Sequence, residues 1–214
     1  MHIMTDSITR VKLPGETKSP TFIGSWSINS LSICEDLISY FENNVSKQKQ
    51  GVTGAGLNRE MKDSSAITIH PNEIQSRGNE IFESYFRLLF SCYQDYATEW
   101  PFLTTFADNL QIGPFVLQRY EHGQHFQQTH AERCSLETLH RVFAWMTYLN
   151  DVDLNAGGST VFSHYGLQIK PRKGLTLIWP AEWTHAHSGE LVKTGSKYII
   201  TGWLHFPTAA EFRG

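Results

Sequence analysis

The residues able to do chemistry in this chain of 214 residues gather in its second half. His130-Ala131-Glu132 is a histidine-x-carboxylate pair. On a strand, positions i and i+2 project from the same face, so both side chains could reach one metal ion. Alone the pair is a weak sign, because 10 histidines and 21 acidic residues make chance occurrences expected. A second histidine from a distant strand would complete a triad, and the Trp183-Thr-His-Ala-His187 segment offers both His185 and His187. Two histidines and one carboxylate leave three positions of an octahedral ion open, as non-haem Fe(II) chemistry with a cosubstrate and O2 requires. Lys197 then opens the apolar run Tyr198-Ile199-Ile200. Pointing inward, its ammonium must meet an anion, since a lone buried charge is costly. A dicarboxylate cosubstrate is one such anion; a strand-end lysine whose head reaches solvent is the plainer alternative.

The elements that must position these groups divide the chain by periodicity. Residues 1–29, with Pro14, Gly15 and Pro20, read as an irregular or edge-strand start. Ser32-Ile33-Cys34-Glu35 has the Ser-x-x-Glu form of a capping box. Cys34, Leu37, Ile38 and Phe41 follow at helical spacing and predict an amphipathic helix facing a core. Residues 44–66 are polar and Gly-rich and read as loop. A second helix is predicted from about Asn79 to Ala97, with Ile81, Tyr85, Leu88 and Leu89 on one side and Pro101 beyond its end.

After about residue 112 short runs rich in β-branched and aromatic residues succeed one another: PFVLQRY, RVFAWMTYLN, STVFSH, LTLIWP and KYIITGWLHF. Turn chemistry separates them at Asn155–Gly158, Pro171–Gly174 and Lys193–Gly195. Many short strands predict an antiparallel sandwich or barrel. The class is therefore α+β, one domain over 1–214, with 1–111 as N-terminal helical support and 112–207 as the β core holding the metal site.

Composition narrows the function classes. The formal net charge of −3 offers no basic footprint for nucleic acid. Cys34, Cys92 and Cys134 form no CxxC pair, so neither a disulfide framework nor a zinc ribbon is indicated. The opening residues lack the apolar run of a signal peptide, and no stretch approaches the length of a membrane span. A soluble, cytoplasmic protein with no membrane partner is expected.

From about Gln118 to Phe206 the sequence resembles the prolyl-4-hydroxylase-like branch of the 2-oxoglutarate/Fe(II) dioxygenases. The residues that carry the resemblance are Gln118, Tyr120 and Gly123, then His130 and Glu132. Tyr148-Leu149-Asn150 follows, then Gly157-Gly158-Ser-Thr160-Val-Phe162, then Pro171 and Gly174 before Leu175–Trp179. His187 precedes Lys197 by 10 residues, the family's interval, and this favours His187 over His185. The resemblance implies a double-stranded β-helix (jelly-roll) and Fe(II) held by His130, Glu132 and His187. It also implies 2-oxoglutarate and O2 as cosubstrates, with Lys197 pairing with the far carboxylate of 2-oxoglutarate. Tyr148 would donate a hydrogen bond to that carboxylate, Tyr120 would contact the cosubstrate nearer the metal, and Thr201 is a further candidate on the face of Lys197. No catalytic residue is expected beyond the metal ligands, and Trp203 reads as core. Glu132 stands where most of the family has aspartate; a retained carboxylate favours hydroxylation over halogenation. The implied substrate is a peptidyl proline or a small molecule. The alternatives are a cupin-like jelly-roll metalloprotein and a non-catalytic jelly-roll binding module. Specificity is expected in the loop at 44–66 and in Glu121–Leu139.

Overall fold

The computed structural model describes residues 7–13, 20–52 and 56–207. In chain order these form β1 (Ile8–Arg10), β2 (Gly24–Ile28), α1 (Ser32–Asn43), β3 (Lys49–Gln50), β4 (Ser65–Ile69), α2 (Glu80–Glu99) and α3 (Leu103–Phe106). There follow β5 (Gln111–Ile112), β6 (Phe115–Tyr120), β7 (Phe126–His130), β8 (Arg141–Tyr148), β9 (Thr160–Phe162), β10 (Leu167–Ile169), β11 (Leu175–Pro180), β12 (His187–Gly189) and β13 (Lys197–His205).

Two antiparallel sheets result. The larger runs β1-β2-β11-β8-β13-β6-β4-β3, with β5 also paired to β13, and the smaller runs β10-β9-β12-β7. The middle strands of the larger sheet are continuous apolar runs because both faces are covered. On β13 the alternation is legible residue by residue. Tyr198, Ile200 and Leu204 join a core with α1 and α2, which contribute Leu37, Phe41, Phe82 and Tyr85. Ile199 and Trp203 join a second core with Tyr120, Met146 and Tyr148 of the larger sheet and Phe162 and Ile169 of the smaller one. At the helix-facing side the Tyr85 hydroxyl lies 2.7 Å from Thr147 Oγ1, which lies 2.7 Å from Thr176 Oγ1, so three buried hydroxyls satisfy one another. The Phe82 ring meets Phe115 edge-on at 5.2 Å.

Several local expectations are corrected. Ser32 is the first residue of α1, Leu31 occupies the cap position, and no side chain caps the helix, so Ser-x-x-Glu is not a capping box here. The 44–66 stretch is not all loop: it contains β3 and leads into β4, whose Ser-Ala-Ile-Thr-Ile sequence pairs with β6. β1 is an edge strand, as expected, but β2 is interior, flanked by β1 and β11. The segment before residue 112 therefore supplies strands as well as helices. Pro14 and Gly15 lie outside the described residues. The strands β7, β10 and β12 lie outside the apolar runs read from sequence, because FQQTH, LQI and HSG are too short or too polar to alternate visibly. Among the described residues no helix is long and apolar enough to cross a membrane.

Gly174 shows how tightly one connection is set. Its φ is +81°, and an added Cβ would lie 2.9 Å from the Ile28 carbonyl oxygen and 2.8 Å from Leu31. Its amide donates to Tyr148 O at 2.8 Å and its carbonyl accepts from Ile28 N at 3.0 Å, joining β8, β11 and β2. Gly174→Ala should therefore lower stability by about 1–3 kcal/mol through backbone strain. Urea unfolding of both proteins checks this; an unchanged midpoint would show that the turn relaxes freely.

Candidate metal centre

The pairing of β7 with β12 places His130 directly opposite His187. His130 is the last residue of β7, but Glu132 lies in the bend beyond it, not on the strand as its spacing had implied. The bend still returns the carboxylate to the histidines. One ligand atom from each of His130, Glu132 and His187 falls within 4.8 Å of the others. Glu132 Oε1 is 3.4 Å from His187 Nε2 and 3.8 Å from His130 Nε2. His130 Nδ1 lies 2.9 Å from Gln128 O, and His187 Nδ1 lies 2.9 Å from His185 O. A carbonyl accepts only from N–H, so this arrangement places a proton on each Nδ1 and leaves each Nε2 facing Glu132. Two imidazole Nε2 atoms and a carboxylate converging on one point are a donor set that fits Fe(II).

Electrostatics prepare the ligands. Burial raises the Glu132 carboxyl, but the hydrogen bond and charge of His187, the charge of His130 and the hydrogen bond of Trp203 outweigh it and hold Glu132 down to about 2. Burial and then the neighbouring His187 push His130 down to about 4. At neutral pH, Glu132 is thus ionised and His130 uncharged.

Trp203 packs on the second core, as expected, but it is only partly buried there and its indole Nε1 donates to Glu132 Oε2 at 2.7 Å, a role the sequence reading did not give it. The Arg141 guanidinium stacks 3.7 Å from the centre of that indole and donates to the Glu132 carbonyl oxygen at 2.9 Å. Glu132 is therefore oriented from both its side chain and its backbone. Its sequence signal was faint: Trp203 lies six residues after Lys197 on β13, on the same face by strand alternation. His185, the other histidine considered, is turned elsewhere, its Nε2 2.8 Å from Thr21 O and its Nδ1 3.0 Å from Thr184 Oγ1.

Lys197, at the start of β13, pairs in register with Tyr120 of β6 and is 3% exposed. Its Nζ donates to Gly158 O at 3.0 Å and sits 4.7 Å from the Tyr120 ring centre. Among the described residues it takes part in no ion pair, and burial pushes it down to about 8. Such an ammonium fits a dicarboxylate better than it fits the rest of the protein. The Gly158 carbonyl reaches it because Gly157 carries a φ of +75°, where a Cβ would lie 2.1 Å from Leu191 O. The other sequence candidates have their hydroxyls engaged within the protein. Tyr120 donates to Gln118 Oε1 at 2.5 Å, Tyr148 to Thr160 Oγ1 at 2.7 Å, and Thr201 to Trp145 O at 2.8 Å. Tyr148 is fully buried and stands opposite Ile199, on the face of Lys197.

Two outcomes follow. Trp203→Phe removes the donor to Glu132 Oε2 and should weaken divalent-metal binding by about 10–100-fold while the protein stays folded; titration with Co(II) checks this, and wild-type affinity would show that the hydrogen bond does not position the ligand. In metal-free protein, His130 has a folded pKa below its unfolded one, so its contribution is fully present above pH 6.5 and is lost as pH falls toward 4. The slope from this one proton is at most about 1.4 kcal/mol per pH unit. His130→Gln should flatten that part of a stability-against-pH curve; an unchanged slope would contradict the burial argument.

Comparison with known proteins agrees with this geometry. Residues 115–205 match the sequence model of the 2OG-Fe(II) oxygenase superfamily. The human prolyl 4-hydroxylase subunit alpha-1 is 33% identical over 85 residues, 36% of this chain and 15% of that protein. The chicken subunit alpha-2 is 31% identical over 72 residues, 30% of this chain and 13% of its own length. The aligned stretch is thus a small part of those relatives. Among solved structures, a Pseudomonas putida prolyl-4-hydroxylase superposes with a TM-score of 0.64 at 13% identity, covering 95% of this chain and 94% of that one. A Trichoplax adhaerens prolyl hydroxylase, solved with a hypoxia inducible factor peptide fragment, gives 0.64 at 15% identity over 94% and 84%. Through the segment that holds the triad and Lys197, the chain is similar to the 2OG-Fe(II) oxygenase superfamily and, within it, to prolyl 4-hydroxylases.

Proposed function

We propose that this protein is an Fe(II)- and 2-oxoglutarate-dependent hydroxylase that oxidises a C–H bond of a peptidyl proline or a small molecule, converting 2-oxoglutarate to succinate and CO2. The observation that carries the reading is the His130–Glu132–His187 group in the same molecule as a buried lysine that takes part in no ion pair among the described residues. Iron with 2-oxoglutarate supplies the power to activate O2; the chain supplies placement. His130 Nε2, Glu132 and His187 Nε2 hold the metal, and Trp203 and Arg141 fix Glu132. Lys197 binds the far carboxylate of 2-oxoglutarate. Tyr120 carries the ammonium on its ring and Tyr148 lines the same face; Thr201, tied to the sheet, has a lesser part. Phe162 and Trp179 pack on His187, with ring centres 5.4 and 5.2 Å away, and keep water from its rear.

The two facing sheets suit a double-stranded β-helix, and the contacts of α1 and α2 with the larger sheet suit helical support of a single domain. The buried, unbridged thiols of Cys34 and Cys92 suit a reducing, cytoplasmic setting. A cupin-like enzyme or a bare binding module accounts less well for the buried ammonium of Lys197.

The experiment is anaerobic addition of Fe(II) and then 2-oxoglutarate to folded apoprotein, followed by visible spectroscopy. A metal-to-ligand charge-transfer band is expected; its absence would overturn the reading. Lys197→Ala should leave Fe(II) affinity near wild type and weaken 2-oxoglutarate binding by about 100-fold, as loss of one partner of a buried charge pair does. Equal loss of both affinities would contradict the role of Lys197.

A further inference from the structure

A second buried lysine lies near the metal centre in the stretch read from sequence as loop. Residues 61–63 leave the larger sheet and run along the free edge of the smaller one. Asp63 N donates to His125 O at 2.8 Å, His125 N to Asp63 O at 3.1 Å, and Gln128 N to Met61 O at 3.3 Å. This segment is therefore a strap beside β7, the strand that carries His130. The Asp63 carboxylate accepts hydrogen bonds from Gln50 and Gln124. Lys62 is 7% exposed, packed so that a Cβ on Gly51 would lie 3.2 Å from its Cε.

Its surroundings do not satisfy its charge. Among the described residues Nζ makes one hydrogen bond, a long one of 3.4 Å to Val52 O. Among the described residues Lys62 takes part in no ion pair; burial pushes it down to about 8, and the charge of Glu132 acts the other way. The ammonium rests 4.8 Å from the Phe126 ring centre, and that ring stacks on His130 at 3.9 Å with an interplanar angle of 13°. From iron ligand to ammonium there are thus only two ring spacings, and Lys62 and His130 sense each other's charge. Lys197 is separate: it starts β13 and contacts Tyr120, whereas Lys62 belongs to the strap.

We infer that Lys62 is a specificity residue that receives a carboxylate of the substrate, so that the favoured substrate is a small free carboxylic acid of amino-acid size lying along Phe126 with its reacting C–H toward the metal. The inference rests on the oxygenase reading and sharpens its substrate class. An interior residue of a peptide has no carboxylate of its own backbone to offer, and an uncharged substrate would leave the buried ammonium without an anion. A small acid meets both demands, neutralising Lys62 and spanning the short distance to the iron ligands.

The test uses the intact protein with Fe(II) and 2-oxoglutarate under anaerobic conditions. The standard free L-amino acids are titrated against the matching amino-acid amides, with an end-blocked tripeptide carrying an internal proline, and perturbation of the charge-transfer band reports binding. At least one acid should perturb the band with an affinity about tenfold or more above its amide, the loss expected when one partner of a buried charge pair is removed. Lys62→Ala should abolish that acid-over-amide preference while still forming the unperturbed band, which shows that the variant is folded; Lys62→Arg should keep the preference. A lysine that merely pins the strap would not produce acid-over-amide discrimination. The inference is overturned if no acid exceeds its amide, if the blocked tripeptide binds best, or if Lys62→Ala keeps the preference. Failure of the band itself in wild-type protein would overturn the oxygenase reading instead.

Discussion

The structure depends most on one unfavourable interaction, the burial of the Lys197 ammonium against a single carbonyl oxygen and the face of Tyr120. A charge in that position, influenced by Glu190 but in no ion pair among the described residues, opposes folding unless an anion arrives. Its place at the start of β13 explains why it is tolerated. That strand is held between β8 and β6 in the middle of the larger sheet, with Tyr198, Ile200 and Leu204 anchored against the helices. One strand thus carries the packing that stabilises the fold on one face and, on the other, Lys197 beside the Tyr120 ring and Trp203 bonded to Glu132.

The metal centre shows the same division between scaffold and local chemistry. Pairing of β7 with β12 sets the two histidines opposite each other, and backbone carbonyls fix both rings. Glu132 has no strand to hold it, so side chains take over: Trp203 grips one carboxylate oxygen while Arg141 stacks on the indole and grips the Glu132 backbone. A glutamate is longer and has one more rotatable bond than an aspartate, and these added contacts remove the freedom that the extra methylene brings.

What the sequence disclosed follows from how strongly each element is written in its residues. The long apolar strands β6, β8, β11 and β13 and the helices α1 and α2 carry clear periodicity, and each was legible to within a few residues. The strands β7, β10 and β12 were not, since polar or three-residue segments leave no pattern; their pairing is decided by tertiary context. The triad residues and Lys197 stood out through spacing and resemblance, and the structure brings His130, Glu132 and His187 to one point. Trp203 was hidden because an indole in an apolar strand reads as core, and only the fold reveals where its N–H points. Lys62 was hidden for the opposite reason: a lysine in a polar stretch reads as solvated, and only the strap along β7 buries it.

The most direct test of the central claim compares cosubstrates that differ only at the far end. Binding of 2-oxoglutarate to the Fe(II)-loaded protein is measured beside binding of 2-oxobutyrate, which keeps the 1-carboxylate and 2-oxo group but has no second carboxylate for Lys197. If that buried ammonium is the anchor, 2-oxobutyrate should bind about 100-fold more weakly, in keeping with loss of one partner of a buried charge pair. Equal affinities for the two acids would show that Lys197 does not meet the cosubstrate, and the account of the site would fail with it.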